Sequence, residues 1–535
     1  MGESWTTWAA EAPGLPAGAA SMLQERLGEL APVHAAPIEQ AVVPPSRLRR
    51  SVATRIAEVV GTDAVLVDDE ARARHAGGQA YVDLVRRRSG DASAAPDAVV
   101  LPTDAEQVAA IIRICSDDWI AVVPWGGGTS VVGGLDSLQG QCSAVIALDM
   151  SRMNRLIEID ETSMIAAFEP GIRTPDAEAA LSQYGYTLGH VPQSYERATL
   201  GGYVVTRSAG QASSGVGRID DLVVGAKLAT PIGELVLPPL PASAAGPDLR
   251  RLVLGSEGVL GVLTELSVRI RRLPDGTSYE GWMMPSWEAG LMAMRRLAQD
   301  GPHPDVARLS DPNETEVSLR MSRSDWTRKM LRAYLRLRRV HRGCLLITGY
   351  QGGEDDIDYR REIVQQVLRK SGGVSLGAKA GEAWEHSRFA APRLRDSLLD
   401  AGALAETLET AATWTVLPAV YDAVGIALRM TLGDSAVVGC HVSHLYPTGA
   451  SLYFTVIAAA EPGREKEQWT QAKTAVNDAI VRAGGTITHH HAVGTVHRDH
   501  VTTDLGGPVG VKALQALKNA LDPHGVMNPG KLLPR

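Results

Sequence analysis

The regular pattern of hydrophobic and polar positions begins near residue 98. Residues 98–101 are a short apolar run that predicts a buried strand, and Thr103 and Glu106 have the spacing of a helix capping box. One apolar face at helical spacing predicts a helix and is formed by Val108, Ile111, Ile112 and Cys115. Residues 120–123 predict a second buried strand. An ordered domain therefore opens with a strand, a helix and a strand.

The pattern changes twice further along the chain. Between about residues 143 and 272, short β-branched runs separated by Gly, Pro and Asp predict several strands. From about residue 273, longer helical stretches alternate with strands, and a last helix is predicted near 511–521. Residues 1–45, rich in Ala, Pro and Gly, predict an irregular or lightly packed extension without chemistry. These patterns predict an α+β chain in which a second domain is inserted before a C-terminal return.

Length, charge and cysteine usage narrow the class of protein. A chain of 535 residues is too long for one core, so two large domains are expected. A net charge of -8 gives no reason to expect a nucleic acid partner. The four cysteines are far apart and form no CxxC, so we expect reduced thiols rather than zinc ligands or disulfides. Because no signal peptide or membrane-spanning apolar run is evident, we expect a cytoplasmic protein, at most peripheral to a membrane.

A glycine-rich loop, PWGGGTS at residues 124–130, directly follows the second strand. Its bare amide groups can approach a pyrophosphate without interference from side chains. The loop is neither a dinucleotide fingerprint nor a P-loop, because Val131 occupies the third glycine position and no Lys follows Gly133. Since the chain contains 54 glycines, a purely structural turn is an equally good interpretation of the loop alone.

Five segments in order make the phosphate interpretation specific: VVLPTDAEQV, PWGGGTS, EPGI, TLGGYVVTRSAG and GSEGVLGVLTEL. Over about residues 97–272 they resemble the FAD-binding domain of the vanillyl-alcohol oxidase type, also called the PCMH fold. The resemblance implies an α+β fold with a two-subdomain FAD-binding domain, an inserted α/β cap domain that binds substrate, and a C-terminal return. It also implies that the FAD diphosphate lies against the glycine loop.

The same resemblance assigns the cofactor contacts. They are Pro124, Trp125, Gly126, Gly127, Gly128, Thr129 and Ser130 in the loop, then Pro192, Gln193, Ser194, Thr199, Gly201, Gly202, Thr206, Arg207, Ser208 and Ala209, and finally Gly255, Ser256, Glu257, Gly258, Val259, Leu260 and Gly261. Several relatives attach FAD covalently through a histidine in a GGH sequence of this loop. Thr129 stands at that position here and cannot form the bond, so non-covalent FAD is expected.

The second half of the chain resembles the alkyldihydroxyacetonephosphate synthase family. The matching pieces are RLRD at 393–396, ETLETAATW at 406–414, CHVSHLYPTGASLYF from Cys440 and THHHAVG from Thr488. The resemblance implies ether-lipid synthesis, in which the acyl group of acyl-dihydroxyacetone phosphate is exchanged for a long-chain fatty alcohol. That reaction has no net redox change and holds the substrate carbon at flavin N5.

The family resemblance also assigns roles in the reaction. Tyr446 matches the catalytic tyrosine, Arg395 matches the arginine that binds the substrate phosphate, and the catalytic histidine cluster is formed by His489, His490 and His491. By pattern alone, Tyr446 would be a strand-end tyrosine and Arg395 a solvated helix arginine. The histidines are expected in a strand, with the first and third on one face. A metal there would need further ligands that the sequence does not identify, so none is expected.

The predicted domains are a partly helical N-terminal extension (1–92), the FAD-binding domain (93–272), the cap domain (273–510) and the C-terminal return (511–535). Two other functions stay open. The first is an FAD-dependent 2-hydroxy-acid dehydrogenase or oxidase of the D-lactate type, which would share the flavin domain. The second is a lipid-binding module without activity.

Residues 326–342 predict a basic amphipathic helix. Seven Lys or Arg residues accompany apolar side chains at helical spacing, namely Trp326, Met330, Tyr334 and Leu337. Such a helix can lie on an anionic membrane surface, and an ordinary packed helix with a solvated arginine face is an equal alternative. A homodimer is a further expectation.

Overall fold

The computed structural model describes residues 4–9, 14–301, 303–322, 325–338 and 340–534. Its contacts divide the chain into two compact units. Unit 1 comprises Met1–His34, Gly210–Val216 and Pro274–His489. Unit 2 comprises Ala35–Ala209, Gly217–Leu273 and His490–Arg535.

The α-helices of the described residues are α1 Ala17–Leu27, α2 Arg50–Val60, α3 Asp69–Arg74, α4 Tyr81–Arg88, α5 Ala105–Asp118, α6 Thr174–Ser182, α7 Leu200–Thr206, α8 Ser213–Val216, α9 Ile219–Leu222, α10 Arg250–Val253, α11 Trp287–Gln299, α12 Pro312–Ser322, α13 Asp325–Leu337, α14 Glu354–Lys370, α15 Ala378–Ser387, α16 Ala391–Asp400, α17 Leu417–Leu432, α18 Glu465–Ala483 and α19 Gly507–Leu521. The strands are β1 Val65–Leu66, β2 Ala98–Val100, β3 Ile120–Trp125, β4 Ala144–Asp149, β5 Leu156–Asp160, β6 Ile165–Phe168, β7 Tyr186–Thr187, β8 Val223–Thr230, β9 Gly233–Leu237, β10 Val262–Arg269, β11 Arg271–Arg272, β12 Gly276–Met284, β13 Val306–Ser310, β14 Cys344–Gly352, β15 Val374–Gly377, β16 Ala403–Thr413, β17 Val437–Val442, β18 Leu445–Tyr446 and β19 Gly449–Ala459.

Unit 2 contains two larger sheets. In the first, with strand order β1-β2-β4-β3, β4 pairs in parallel with both β2 and β3. The second sheet, β5-β6-β10-β8-β9, is antiparallel throughout. The predicted apolar face of α5 is fully buried in the core of this unit, and it consists of Val108, Ile111, Ile112 and Cys115. The predicted strand, helix and strand at the start of this domain are therefore confirmed.

The predicted cap of α5 was wrong by one residue. The cap is Asp104, whose carboxylate accepts a hydrogen bond from the Gln107 backbone N–H at 2.8 Å. The Gln107 side chain reaches back and accepts from the Thr103 N–H at 2.9 Å. Because the carboxylate of Asp104 occupies the capping position, the hydroxyl of Thr103 lies one residue too early for that role.

Unit 1 is built on one large antiparallel sheet with strand order β15-β12-β14-β13-β17-β19-β16, and β18 pairs with β19. The long strands β16 and β19 pair in register from Ala403 opposite Ala459 to Thr413 opposite Gly449. Helices α16, α17 and α18 contact β16. The mixed α+β architecture with a C-terminal return agrees with the predicted fold class.

The N-terminal part is more tightly packed than its composition predicted. Its buried side chains include Trp5, Trp8, Met22 and Leu23. The Trp8 N–H donates to the buried carboxylate of Asp396 at 2.7 Å. A Cβ on Gly18 would lie only 2.3 Å from the Arg320 carbonyl oxygen, so α1 is in close backbone contact with α12. The small residues of 1–45, which suggested an irregular extension, instead permit this close approach.

The units also differ from the domain boundaries predicted from sequence. Residues 35–92 belong to unit 2, where Val52 and Ile56 of α2 join the core around α5. The return to unit 2 begins at His490 instead of 511. The return begins this early because the N–H groups of Val493 and Gly494 donate to Glu257 of unit 2.

Two further expectations concern cysteines and membrane spans. All four cysteines are buried and free, as expected from their spacing: Cys115, Cys142, Cys344 and Cys440. Among the described helices, none has the length and apolar character needed to cross a bilayer.

Candidate active site

The predicted cofactor loop of unit 2 follows β3 and is too crowded for side chains. A Cβ on Gly126 would lie 2.4 Å from the Thr199 hydroxyl oxygen, and one on Gly127 would lie 2.0 Å from the Arg197 carbonyl oxygen. Gly128 has a φ of +67°, which favours glycine. The three glycines therefore keep bare backbone against residues 197–199.

A second predicted segment forms the neighbouring turn and helix. Residues 192–198 form a tight turn in which the Tyr195 N–H donates to the Pro192 carbonyl and the Ala198 N–H donates to the Ser194 carbonyl. Thr199 then caps α7 by accepting from the Gly202 N–H at 3.2 Å. The loop and this segment meet at Thr199 and Arg197.

The end of α7 carries the polar residues predicted to contact the cofactor. The Arg207 guanidinium pairs with Asp220 at 2.5 Å, and the Ser208 hydroxyl hydrogen-bonds the His190 ring at 2.8 Å. These partners fix both side chains within unit 2. Ala209, next to them, is buried.

The third predicted segment, residues 255–261, lies against the first two. The Gly255 N–H donates to the Val204 carbonyl at 3.1 Å. Gly258 has a φ of +74°, and a Cβ there would lie 2.8 Å from the Pro124 ring. A Cβ on Gly261 would lie 2.4 Å from the Ala229 carbonyl oxygen. Unit 2 thus brings all of the predicted cofactor segments together.

The hydroxyl of Ser256 supports the fit of a polar ligand in this region. Ser256 is 2% exposed, and its oxygen has no hydrogen-bond partner among the described residues. A buried hydroxyl is rarely left unsatisfied, so a bound group that carries hydrogen-bonding atoms would complete it. Bare glycine backbone beside such a hydroxyl is the combination expected of a diphosphate-containing cofactor site.

Glu257 ties this segment to the C-terminal return. Its carboxylate accepts from the Val493 N–H at 2.9 Å and from the Gly494 N–H at 2.7 Å. Its own carbonyl accepts from the Asn528 side-chain amide at 2.6 Å. Burial raises the pKa of Glu257 to about 7, against the lowering effect of the two backbone N–H groups and of Lys531.

His75 is a neighbour of the glycine loop that no sequence pattern indicated. Its ring lies 4.6 Å from the Trp125 ring, its Nε2 bonds Asp149 at 3.1 Å, and its Nδ1 bonds the Ala71 carbonyl at 2.8 Å. Thr129 stands where several relatives have the histidine that attaches FAD. Both ring nitrogens of His75 are engaged in hydrogen bonds, so His75 does not take over that role. The segment RHAGGQ lies between β1 and β2 and carried no recognisable signal.

Two of the predicted catalytic residues meet in unit 1. The Tyr446 hydroxyl and His489 Nε2 are 2.7 Å apart. The Trp414 indole N–H donates to the Tyr446 carbonyl at 3.1 Å, and the His444 ring packs at 4.9 Å from that of His489. Tyr446 ends β18, beside β19. The arrangement is a hydrogen-bonded phenol and imidazole, which can hold or transfer a proton.

The histidine cluster is not in a strand, so that prediction was wrong. Its residues lie in bends, and the His489 N–H donates to the Glu409 carboxylate at 2.6 Å instead of to a neighbouring strand. The alternation of faces therefore does not apply. His490 and His491 belong to unit 2, where their rings contact each other at 4.7 Å.

Arg395 lies on α16 of unit 1, a helix that packs on β16. Its side chain is partly buried, and Asp396 beside it is fully buried. The location on a helix was expected, whereas the packing of the N-terminal segment onto Asp396 was not. Arg395 thus stands on a fixed element of unit 1.

The fold and these sites define an FAD-dependent enzyme of the vanillyl-alcohol oxidase class. Residues 96–237 match the family described as FAD binding domain, and residues 273–532 match the C-terminal domain of FAD linked oxidases. FAD is therefore the cofactor of this chain, and Thr129 in the tethering position leaves it non-covalently bound.

The relatives narrow the class further. The chain is 33% identical to alkyldihydroxyacetonephosphate synthase of Trypanosoma brucei brucei, over 93% of this chain and 83% of the relative. It is 32% identical to the synthase of Dictyostelium discoideum, over 88% of this chain and 78% of the relative. A solved alkyldihydroxyacetonephosphate synthase superimposes with a TM-score of 0.83 at 26% identity, covering 98% of each chain. The chain belongs to the alkyldihydroxyacetonephosphate synthase family.

We predict that Gly127→Ala weakens FAD binding at least about tenfold, because a Cβ 2.0 Å from the Arg197 carbonyl oxygen must displace the loop. The measurement is a titration of apoprotein with FAD, followed by flavin fluorescence. The control is Gly353→Ala, where the nearest atom to the new Cβ is 3.8 Å away and φ is -72°. Equal FAD affinity in the Gly127→Ala variant and the wild type would contradict the assigned contact.

We also predict a pH dependence of stability from Glu257. Its pKa is about 7 in the folded chain, against an ordinary value of 4.5, so between these values the folded state binds more protons than the unfolded state. The stability that Glu257 contributes is complete below pH 4.5 and is lost as the pH rises through about 7, in total about 3 kcal/mol.

Glu257→Gln tests this dependence. The variant is less stable than the wild type below about pH 5, because an amide nitrogen cannot accept from a backbone N–H. Its free energy of unfolding also loses the part of the slope between about pH 5 and about pH 7 that Glu257 contributes. Urea unfolding at several pH values measures both effects. The exposed Glu58→Gln serves as the control and keeps the wild-type slope. A Glu257→Gln variant with that same slope would refute the assignment.

Proposed function

We propose that this chain exchanges the acyl group of acyl-dihydroxyacetone phosphate for a long-chain alcohol and so forms an ether lipid. The observation that carries the proposal is the Tyr446–His489 pair, 2.7 Å apart, in a chain that is 33% identical to a synthase of this name over most of its length. The two relatives cited above, at 33% and 32% identity, are synthases, which favours exchange over the oxidation of a hydroxy acid.

The reaction sets three requirements on the protein. A base removes a proton from the substrate carbon, and the C–O bond to the leaving carboxylate breaks. A C–O bond to the entering alcohol then forms, the alcohol's proton passes to the carboxylate, and the base returns the first proton to the substrate carbon. When bound, FAD supplies an electron-pair reservoir at the substrate carbon, and no electrons are gained or lost overall. Proton transfer, phosphate binding and the exclusion of water fall to the side chains.

Tyr446 is the proposed base. A phenol that shares a proton with His489 Nε2 across 2.7 Å can transfer it to the imidazole and then accept the substrate proton. His489 can return that proton to the leaving carboxylate or receive one from the entering alcohol. The neighbouring His490 and His491 are proposed to contact the flavin or to take part in these later proton transfers.

Arg395 is the proposed phosphate ligand. A planar guanidinium offers two parallel N–H donors to the oxygens of a phosphate dianion, which lysine cannot match. Its place on a helix packed against β16 holds the guanidinium on a rigid element. Its role is therefore in substrate affinity more than in turnover.

We predict that Tyr446→Phe lowers the exchange rate by about a hundredfold or more, because the phenylalanine ring cannot take up a proton. Arg395→Ala is expected to raise KM for the phosphate substrate by about tenfold or more, with a smaller effect on kcat. The assay is incorporation of labelled fatty alcohol into the ether product. Tyr359→Phe is the control, since Tyr359 is 62% exposed on α14.

Four results would contradict the proposal. Unchanged incorporation in Tyr446→Phe would remove the base, and incorporation insensitive to Arg395→Ala would remove the phosphate ligand. Lasting anaerobic bleaching of the flavin by a 2-hydroxy acid, without alcohol incorporation, would favour the dehydrogenase. Lipid binding without either activity would favour a binding module.

A membrane contact is a second part of the proposal. On α13, apolar residues point away from the protein, with Trp326 70%, Met330 55% and Leu337 82% exposed. The opposite face packs through Leu331 and Leu335 into a cluster of unit 1. An exposed apolar stripe flanked by basic residues suits an anionic bilayer, from which such an enzyme would draw its long-chain substrates. Arg339, part of the predicted helix, lies outside the described residues. A homodimer stays a prediction from sequence.

We predict that Lys329→Glu combined with Arg336→Glu weakens binding to anionic vesicles at least about tenfold, since each basic residue near such a surface contributes about 1 kcal/mol. Trp326→Ser with Leu337→Ser should weaken binding to the same vesicles through loss of apolar contact. Vesicle co-sedimentation measures both, and Met292→Ser is the control, since the Met292 side chain on α11 is 59% exposed. Binding unchanged in both double variants would show that α13 does not dock.

A further inference from the structure

The carboxylate of Glu409 contacts Thr488 and His489, the last two residues of unit 1. Glu409 is in β16 and is only 1% exposed. One of its oxygens accepts from the Thr488 hydroxyl at 2.5 Å, and the other accepts from the His489 N–H at 2.6 Å. Two consecutive residues are therefore held by one carboxylate, and the second of them hydrogen-bonds Tyr446.

The next residues of β16 hold the same segment. The Thr410 hydroxyl donates to the Thr486 carbonyl at 2.6 Å, and the Thr486 N–H donates to the Ala411 carbonyl at 2.9 Å. The segment is not in a sheet, so these bonds replace a regular strand ladder. The backbone that leads to His489 is therefore fixed along the strand.

The end of β16 holds the partner of His489. The Trp414 N–H donates to the Thr448 carbonyl at 3.2 Å, and its indole N–H donates to the Tyr446 carbonyl at 3.1 Å. Tyr446 itself pairs with Gly449, which pairs with Thr413 of β16. A single strand thus positions both members of the Tyr446–His489 pair.

A buried cation accompanies the carboxylate. Lys473 of α18 is buried, and its charge interacts with Glu409 and Glu406. Burial lowers the pKa of Lys473 to about 8, although the two carboxylates oppose this shift. Below that pH Lys473 is an ammonium, and its charge interacts with the buried carboxylate of Glu409.

We propose that Glu409 is a positioning residue for the reaction, because its carboxylate fixes the backbone of His489 and so sets His489 Nε2 at hydrogen-bond distance from the Tyr446 hydroxyl. Glu409 does not touch substrate in this role. The kinetic consequence rests on the proposed exchange reaction, whereas the geometric consequence for His489 can be measured without it.

Glu409→Gln tests the proposal with little change in volume. The glutamine side chain keeps one acceptor oxygen, but its NH₂ group faces one of the two donors, the Thr488 hydroxyl or the His489 N–H. An NH₂ group cannot accept, so one of the two hydrogen bonds is lost. Because misplacement of a proton-transfer group lowers turnover, kcat is expected to fall about tenfold or more, while KM for the phosphate substrate changes by less than about twofold. Glu406→Gln is the matched control on the same strand and keeps wild-type kcat.

The second measurement is the ¹⁵N NMR spectrum of histidine-labelled, FAD-loaded protein. The His489 signals are assigned by their loss in His489→Gln. The Nε2 signal is expected to shift in Glu409→Gln and to keep its wild-type position in Glu406→Gln. Thr488→Val removes the hydrogen bond from the Thr488 hydroxyl to Glu409 and keeps the one from the His489 N–H. It is therefore expected to shift the His489 Nε2 signal less, and to lower kcat less, than Glu409→Gln does.

The possible outcomes are distinct. A folded Glu409→Gln protein with wild-type kcat and an unmoved His489 signal overturns the positioning role. If Glu409→Gln does not fold, Thr488→Val decides, and wild-type values for it overturn the role as well. A wild-type protein without exchange activity refutes the proposed function, and the His489 signal then still tests the contact with Glu409.

Discussion

Buried carboxylates that accept hydrogen bonds from backbone N–H groups hold the loops of both units. In unit 2, Asp97 binds the N–H groups of residues 47 and 145, Asp522 binds those of 526 and 527, and Glu257 binds those of 493 and 494. In unit 1, Asp396 and Glu409 do the same for residues 8 and 489. A loop carries no ladder of its own, so its N–H groups need such acceptors when they are buried. Loss of one acceptor leaves a buried donor unpaired, at a cost of about 1–3 kcal/mol.

The same interaction explains the conformation of the THHHAVG segment. Glu409 binds its beginning within unit 1, and Glu257 binds its end within unit 2. A strand would have used these N–H groups in a ladder, which is why the predicted alternation of the histidine side chains fails. The segment is irregular because two carboxylates fix it, and irregular backbone lets neighbouring histidines point in directions that a strand forbids.

The sequence predicted those parts of the molecule that depend on neighbours along the chain. The buried face of α5 follows from helical spacing, and the glycine loop follows from its position after β3. Contacts between distant residues carried no such signal. Glu409 and His489 are 80 residues apart, and Glu257 and Val493 are 236 apart. Only the family resemblance identified Tyr446 and His489 as candidates, and their contact was not predicted. No local sequence pattern distinguishes a catalytic tyrosine from one that ends a strand.

The predicted cofactor loop and the proposed proton-transfer pair belong to different units. The cofactor loop tolerates no side chain at Gly126 or Gly127, because the space for a Cβ is taken by residues 197–199. Such a cradle fixes a flavin but does not choose among the reactions that a flavin supports. That choice requires groups that remove a proton and bind a phosphate, and in this chain the proposed groups are on β18, α16 and the segment held by β16. Since β16 belongs to unit 1 and the predicted cofactor segments belong to unit 2, we expect a change in β16 to act on the proposed proton-transfer groups and not on those segments.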